Sequence, residues 1–224
     1  MNISSLAGVD DAKVKAVNST GKPEVVIFDL YGTLVKFGVM HHPFRALLKW
    51  AREQGRPVRG DDARQLMTVD ANLFGLAKHL GINAPENMLA QLQSQIDEEL
   101  ASLTLFDDVI PALEKLQSLR IPLVICSNLA QPYGVVIDRL LSQIEIHRFL
   151  SYEVGAIKPE PLMYQRIVTD LRVQSAQCLF IGDTFIADYE GPIQNGMQAR
   201  HLTRGHPPAS HTLNSLGAVI DLLS

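Results

Sequence analysis

Cysteine is scarce in this 224-residue chain: there are only two. Cys126 and Cys178 each sit within an apolar run, Leu123-Val124-Ile125-Cys126 and Cys178-Leu179-Phe180-Ile181, where a buried, inert thiol is the usual outcome. A reducing cytoplasm fits that reading. Basic runs are missing as well: charged residues make up 20% of the chain and the net charge is -4. Nothing in that pattern resembles the footprint of a nucleic-acid binder, so a small-molecule partner is expected. Long apolar stretches are also absent, because the longest runs are strand-sized. Met1 to Lys22 is polar, with neither an apolar signal core nor a basic amphipathic face, so secretion and membrane insertion are not expected. There is no internal repeat and no low-complexity tract. What remains is a chain with 46% hydrophobic residues, enough for one substantial core and a smaller accessory domain.

Val25-Val26-Ile27-Phe28 is a continuous apolar run that stops at Asp29 and is followed by Gly32-Thr33, which predicts a strand covered on both faces and ending in a turn. Similar runs recur at Pro122 to Cys126 and Gln177 to Ile181, with a weaker one at Gln198 to Leu202. Helical patterns at Val109 to Leu119, Pro161 to Leu171 and Phe185 to Asn195 separate them, and a last amphipathic stretch spans Leu213 to Leu223. Strands alternating with helices predict an α/β fold built on a doubly wound parallel sheet. One region breaks the alternation. From His41 to about Leu103 only helical periodicity is found, in Phe44-Leu47-Leu48 with Trp50, in Leu73-Leu76-Leu80 and in Met88 to Leu103. The expected organisation is an N-terminal arm at 1–22, an α/β core at 23–36 and 104–224, and an inserted helical cap at 37–103. In an open α/β sheet the ligand crevice lies at the carboxyl ends of the strands, so an insertion leaving there would form a lid.

Four segments place polar residues at those strand ends. Each has an ordinary structural explanation when taken alone. Asp29 could be a simple turn-former, although Gly32 permits a tight turn and Thr33 offers a hydroxyl and a main-chain N–H where an anion could be held. Ser127-Asn128 is also an ordinary loop start. Lys158 lies in Gly155-Ala156-Ile157-Lys158-Pro159-Glu160-Pro161, where the prolines fix its presentation, but an isolated loop lysine is usually just solvated. Asp183 or Thr184 could cap a helix after Gly182, whereas Asp188 needs a separate reason, because helix interiors disfavour Asp.

Taken in order, Phe28-Asp29-Leu30-Tyr31-Gly32-Thr33-Leu34, Ser127-Asn128, Lys158-Pro159 and Gly182-Asp183-Thr184 with Asp188 resemble the four motifs of the haloacid dehalogenase-like superfamily. The resemblance covers about Pro23 to Leu202, and the helical insertion is similar to that family's cap only in kind. It implies a Rossmann-like core and a hydrolase in which Asp29 attacks the substrate covalently, with Lys158 as the second catalytic residue. It further implies substrate or phosphate contacts from Tyr31, Gly32, Thr33, Ser127, Asn128 and Lys158. An Mg²⁺ site would use Asp29, the backbone carbonyl of Tyr31, Asp183 and Asp188, the last through water unless it pairs with Lys158.

The family contains Mg²⁺-dependent phosphohydrolases and metal-free dehalogenases, and this sequence mixes their marks. Phosphatases of the family carry a second Asp two places after the nucleophile. Here Tyr31 stands at that place, as in the 2-haloacid dehalogenases, and a phenol with a pKa of about 10 is no base at neutral pH. Gly182-Asp183 points the other way, because two converging carboxylates repel each other and an anionic substrate unless a cation is present. The expectation is a Mg²⁺-dependent phosphohydrolase acting on a small phosphorylated metabolite with a good leaving group. The alternatives are a 2-haloacid dehalogenase and a degenerate member that binds a phospho-ligand or a partner. Substrate choice is expected from the cap, whose basic candidates are His41, His42, Arg45, Arg52, Arg59 and Arg64; no motif selects one of them.

Overall fold

The computed structural model describes residues 21–207 and 210–223, and most of the arm expected at 1–22 lies outside them. The chain runs through β1 (Val25–Phe28), β2 (Val35–Lys36) and helices α1 to α4 (Pro43–Glu53, Asp62–Thr68, Leu73–His79, Glu86–Ser102). It continues through β3 (Thr104–Leu105), α5 (Val109–Ser118), β4 (Leu123–Ser127), α6 (Val135–Leu140), β5 (His147–Leu150), α7 (Ser151–Val154) and α8 (Pro161–Leu171). It ends with β6 (Cys178–Gly182), a π-helical turn (Phe185–Glu190), α9 (Gly191–Gln194), β7 (Gln198–Leu202), β8 (Thr212–Leu213) and α10 (Gly217–Leu222).

All four residues of β1 are buried, and they alternate between two apolar clusters. Val26 and Phe28 join one with Leu113, Leu123, Ile125 and Leu179, while Val25 and Ile27 join the other with Val124, Met163, Ile167 and Phe180. Strand side chains point to opposite faces in turn, so this division shows a sheet covered on both sides. Among the described residues six of the eight strands form the main sheet, ordered β5-β4-β1-β6-β7-β8, and every pair in it is parallel. The fold is the doubly wound α/β type that the run-and-helix alternation predicts. Both cysteines lie in the second cluster, where burial pushes the thiol of Cys126 up to about 12 and that of Cys178 up to about 11.

Between β2 and β3 the chain carries α1 to α4 and no strand. It leaves and returns through an antiparallel ribbon, in which Val35 faces Leu105 and Lys36 faces Thr104. The helix starts are locally encoded: Pro43 and Pro161 open α1 and α8, and the Asn72 side chain accepts a hydrogen bond from the Gly75 N–H at 3.0 Å to cap α3.

Several elements differ from the sequence expectation. Helix α2 is only seven residues long and buries just Asp62 and Leu66, too few for a visible period. Strand β5 opens with exposed His147 and Arg148, as an edge strand can, and reads as polar loop. The stretch expected to be helical from Leu213 begins as β8, because Thr203 N–H donates to the Leu213 carbonyl at 2.7 Å; the helix starts only at Gly217. Phe185 to Asn195 is not one helix but a π-helical turn followed by one short α-turn.

Candidate active site

Parallel pairing places the ends of the central strands side by side. Phe28 is level with Ile125 on one side and Ile181 on the other, so Asp29, Ser127 and Asp183 emerge along a single sheet edge. The Asp29 N–H is held by the Ile181 carbonyl at 2.9 Å. Lys158 enters from the loop between α7 and α8, and Asn128 holds that loop: its amide donates to the Lys158 carbonyl at 2.8 Å and accepts from the Lys158 N–H at 2.7 Å. Both ends of the Asn128 side chain are thus used as a brace.

The Lys158 ammonium lies 2.7 Å from Asp29 Oδ1 and 2.6 Å from Asp188 Oδ1. Exposure is 4% for Lys158, 7% for Asp29 and 0% for Asp188, so these charges depend on one another rather than on water. Burial alone would lower the ammonium's pKa, but the two carboxylates outweigh it and hold Lys158 above its usual range. Desolvation pulls the Asp29 carboxyl upward, against the opposing pull of Lys158 and of the Ser127 hydroxyl, which donates to Asp29 Oδ1 at 3.0 Å. Both contacts fall on Oδ1, leaving Oδ2 out of these bonds.

Asp188 is accounted for by the π-helical turn. Its Oδ2 accepts from the Thr184 N–H at 3.0 Å while its own N–H donates to the Thr184 carbonyl at 2.8 Å. It thereby closes the turn and faces Lys158, and such π-bulges often occur at functional sites. Gly182 makes room for it: a Cβ there would lie 2.3 Å from Asp188 Cγ.

Asp183 is exposed and sits over the loop at Gly32. Partial burial, and after it the charge of Asp29, raises its carboxyl pKa. Gly32 has φ +86°, and a Cβ on it would meet Asp183 Oδ2 at 2.2 Å, so this position requires glycine for its backbone and for its contact. Three backbone bonds close the loop: Gly32 N–H to the Val35 carbonyl, and the Leu34 and Val35 N–H groups to the Leu30 carbonyl, each 2.8 Å. The Thr33 N–H takes no part in them. The Thr33 hydroxyl, fully buried, is 3.5 Å from Asp183 Oδ1. One oxygen each from Asp29, Asp183 and Asp188 lies within 4.8 Å of the others, a set that could hold a metal ion.

Tyr31 turns away from acid–base work. Its hydroxyl donates to the Tyr133 carbonyl at 2.9 Å, its ring stacks on Phe37 at 5.0 Å, and burial raises its pKa far above the ordinary phenol value. Sequence reasoning missed Tyr133 and Glu99 beside it. Glu99, 2% exposed on α4, accepts from the Tyr133 hydroxyl and from the N–H groups of His41 and His42. A lone Glu in an acidic helix gives no signal for such a role.

Of the basic candidates, Arg64 is engaged with Glu160 at 2.6 Å and with the Gly155 carbonyl at 3.1 Å. The ring of His41 pairs with Glu98 at 2.8 Å, and His42, Arg45, Arg52 and Arg59 are exposed.

A family model for haloacid dehalogenase-like hydrolases matches residues 23–196. The chain belongs to that family. Two curated relatives are similar over part of their length. One is a glyceraldehyde 3-phosphate phosphatase of Methanopyrus kandleri, 28% identical over 54% of this chain and 53% of the relative. The other is the phosphatase MT3486 of Mycobacterium tuberculosis, 32% identical over 52% of this chain and 56% of the relative. The chain spans about half the length of the curated relatives it matches. Solved structures with this fold include phosphatases and dehalogenases alike. A 2-haloacid dehalogenase from Pseudomonas syringae superposes with a TM-score of 0.59 at 18% identity, covering 90% of this chain and 98% of that one.

Proposed function

We propose that the chain is a Mg²⁺-dependent phosphohydrolase for a small phosphorylated molecule, working through an aspartyl phosphate on Asp29. The observation that carries this reading is the charge count. Three carboxylates converge within 4.8 Å, and among the described residues the Lys158 ammonium pairs with Asp29 and Asp188 but not with Asp183. Among the described residues no cationic side chain forms an ion pair with Asp183, whose carboxylate lies close to that of Asp29, an arrangement that repels an anionic substrate unless a divalent ion joins it. Hard oxygen donors of this kind suit Mg²⁺, with Asp29, Asp183 and the Tyr31 carbonyl as candidate ligands. The two oxygens of Asp188 are engaged with Lys158 and Thr184, so its share is indirect. When bound, the ion would neutralise charge on the phosphoryl oxygens and draw the group toward Asp29.

The chain's own residues supply the rest. Lys158 favours the ionised, nucleophilic form of Asp29, whose oxygen bonds to phosphorus as the ester P–O bond breaks and the leaving group departs with that bond's electrons. Water then attacks phosphorus, and inorganic phosphate and free Asp29 are regenerated. In this reading Ser127 and the Thr33 hydroxyl and N–H hold the non-reacting oxygens. Tyr31 holds its proton too tightly to act as an acid near neutral pH and directs it to the Tyr133 carbonyl, so the proposed substrates are those whose leaving groups depart as stable anions. The phosphatase names of both curated relatives support this reading.

Tyr31 also favours a second reading, dehalogenation through an aspartyl ester, because halide needs no protonation. One assay separates the two. Aryl phosphate hydrolysis that requires Mg²⁺ and stops with EDTA is expected, whereas halide release from 2-chloropropionate that ignores EDTA would favour the dehalogenase. Phosphate binding without turnover of either would favour a degenerate binder.

A further inference from the structure

Arg204 lies two residues beyond β7, and no motif marks it. Its guanidinium donates to the Thr33 carbonyl at 2.8 Å with one amino group and to Asp108 Oδ2 at 2.9 Å with the other. The plane lies over the Phe106 ring, 4.0 Å from its centroid. Asp108 is itself anchored, because its Oδ2 also accepts from the Leu216 N–H at 2.8 Å, and Phe106 donates its N–H to the Leu34 carbonyl at 3.1 Å. Arg204 is thus fixed from behind by the chain returning through β3 and by the C-terminal segment, and its free edge grips the nucleophile loop.

That grip falls at an informative atom. The loop's own hydrogen bonds fix Gly32, Leu34 and Val35 but leave Thr33 untied. Holding the Thr33 carbonyl fixes the ψ angle of Thr33, and so the direction in which its hydroxyl faces Asp183 and in which its N–H is presented. We propose that Arg204 is a positioning residue that sets the Thr33 edge of the active site through the Thr33 carbonyl. The inference rests on the reading of Asp29, Thr33 and Asp183 as site residues. A planar fork is needed, because the two acceptors are on different segments and the ring contact orients the plane; a lysine reaches one acceptor at a time.

The experiment compares wild-type protein with Arg204→Met and Arg204→Lys, reading two quantities. The first is the amide resonance of Leu34, the N–H of the peptide whose carbonyl Arg204 grips, which responds to that hydrogen bond without any turnover. The second is the split between kcat and KM for an aryl phosphate with Mg²⁺. In Arg204→Met the Leu34 resonance should move and kcat should fall about ten- to a hundredfold, while KM stays within about threefold, as misplacement by up to 1 Å implies. Arg204→Lys should lie between, and guanidinium added to Arg204→Ala at non-denaturing concentration should restore part of kcat. An unmoved Leu34 resonance overturns the inference whatever the activity. A moved resonance with unchanged kcat overturns it as well, reducing Arg204 to a structural tie. If wild type turns over neither aryl phosphate nor 2-chloropropionate, the functional reading above fails separately, and the Leu34 resonance alone decides whether Arg204 sets the loop.

Discussion

Gly32→Ala is the substitution whose consequences can be worked furthest from the geometry. The alanine must adopt φ +86°, a region that costs a non-glycine residue roughly 1–2 kcal/mol. Its Cβ also arrives 2.2 Å from Asp183 Oδ2 and 2.7 Å from Cγ, where ordinary contact begins at 3.4 Å. Asp183 is exposed and its carboxylate is the flexible end of a side chain, so the carboxylate yields rather than the fold. It must retreat by about 1 Å, away from Thr33 and Asp29, and displacement of that order costs up to about a hundredfold in rate. The expected result is a protein less stable by only about 1–2 kcal/mol, with a melting point lower by roughly 2–8 °C. Its kcat for an aryl phosphate should fall about a hundredfold and its half-saturating Mg²⁺ concentration should rise. Thermal scans, urea unfolding and a Mg²⁺ titration measure the three quantities. In an Asp183→Ala background the clash is gone, so adding Gly32→Ala there should change kcat by less than about threefold, a coupling that a double-mutant cycle reads directly. Gly32→Ala with near-normal kcat and Mg²⁺ response would refute the reasoning, since the side chain cannot be added without moving Asp183.

Other perturbations test the surrounding network. Lys158→Met strands two buried carboxylates, and the expected loss is about 3–5 kcal/mol in urea unfolding of metal-free protein, together with loss of turnover; a loss below about 1 kcal/mol would contradict the tight triad of charges. Asp62, buried under the forked Arg56 at 2.7 and 2.8 Å, has its carboxyl held down to about 2 by that contact and by the Arg59 N–H. Its folded pKa is depressed, so its contribution, on the order of 2 kcal/mol, is present above the unfolded value and lost as pH falls from about 4 toward 2. Asp62→Asn should flatten that part of the stability-versus-pH curve, and an unchanged slope would show that other groups cause it. Tyr31→Asp gives up the ring stack on Phe37 and should cost roughly 3 kcal/mol of stability, yet it adds a carboxyl beside Asp29 and Glu99 that can serve as acid. The ratio of alkyl to aryl phosphate turnover should rise, and an unchanged ratio would count against a missing acid at position 31.

How much of this was legible in sequence depended on how local each cause is. Strand β1 announces itself because all four residues are apolar and doubly covered, whereas His147 and Arg148 hide the start of β5 on the sheet edge. Asp29, Ser127 and Asp183 could be read as neighbours because parallel pairing brings successive strand ends to one side. Asp188 was singled out for being unwelcome in a helix, and the π-helical turn supplies the reason. The engagements of Tyr31 with Tyr133, of Glu99 with His41 and His42, and of Arg204 with Thr33 join residues far apart in the chain. Nothing in the local pattern of a tyrosine, a glutamate or an arginine records such a partner. Asn128, for which the family resemblance implies a ligand contact, also binds the Lys158 backbone with both ends of its side chain, an engagement that local sequence does not signal.

The central claim is that Asp29 is the atom donor for a covalent intermediate. Acid quench of the Mg²⁺-loaded protein during aryl phosphate turnover, borohydride reduction and peptide mass spectrometry would locate the intermediate, because a phosphorylated aspartate is reduced to homoserine. The account predicts homoserine at position 29, absent from Asp29→Asn and from protein quenched without substrate. Reduction at another carboxylate, or turnover with no residue 29 adduct under rapid quench, would contradict it.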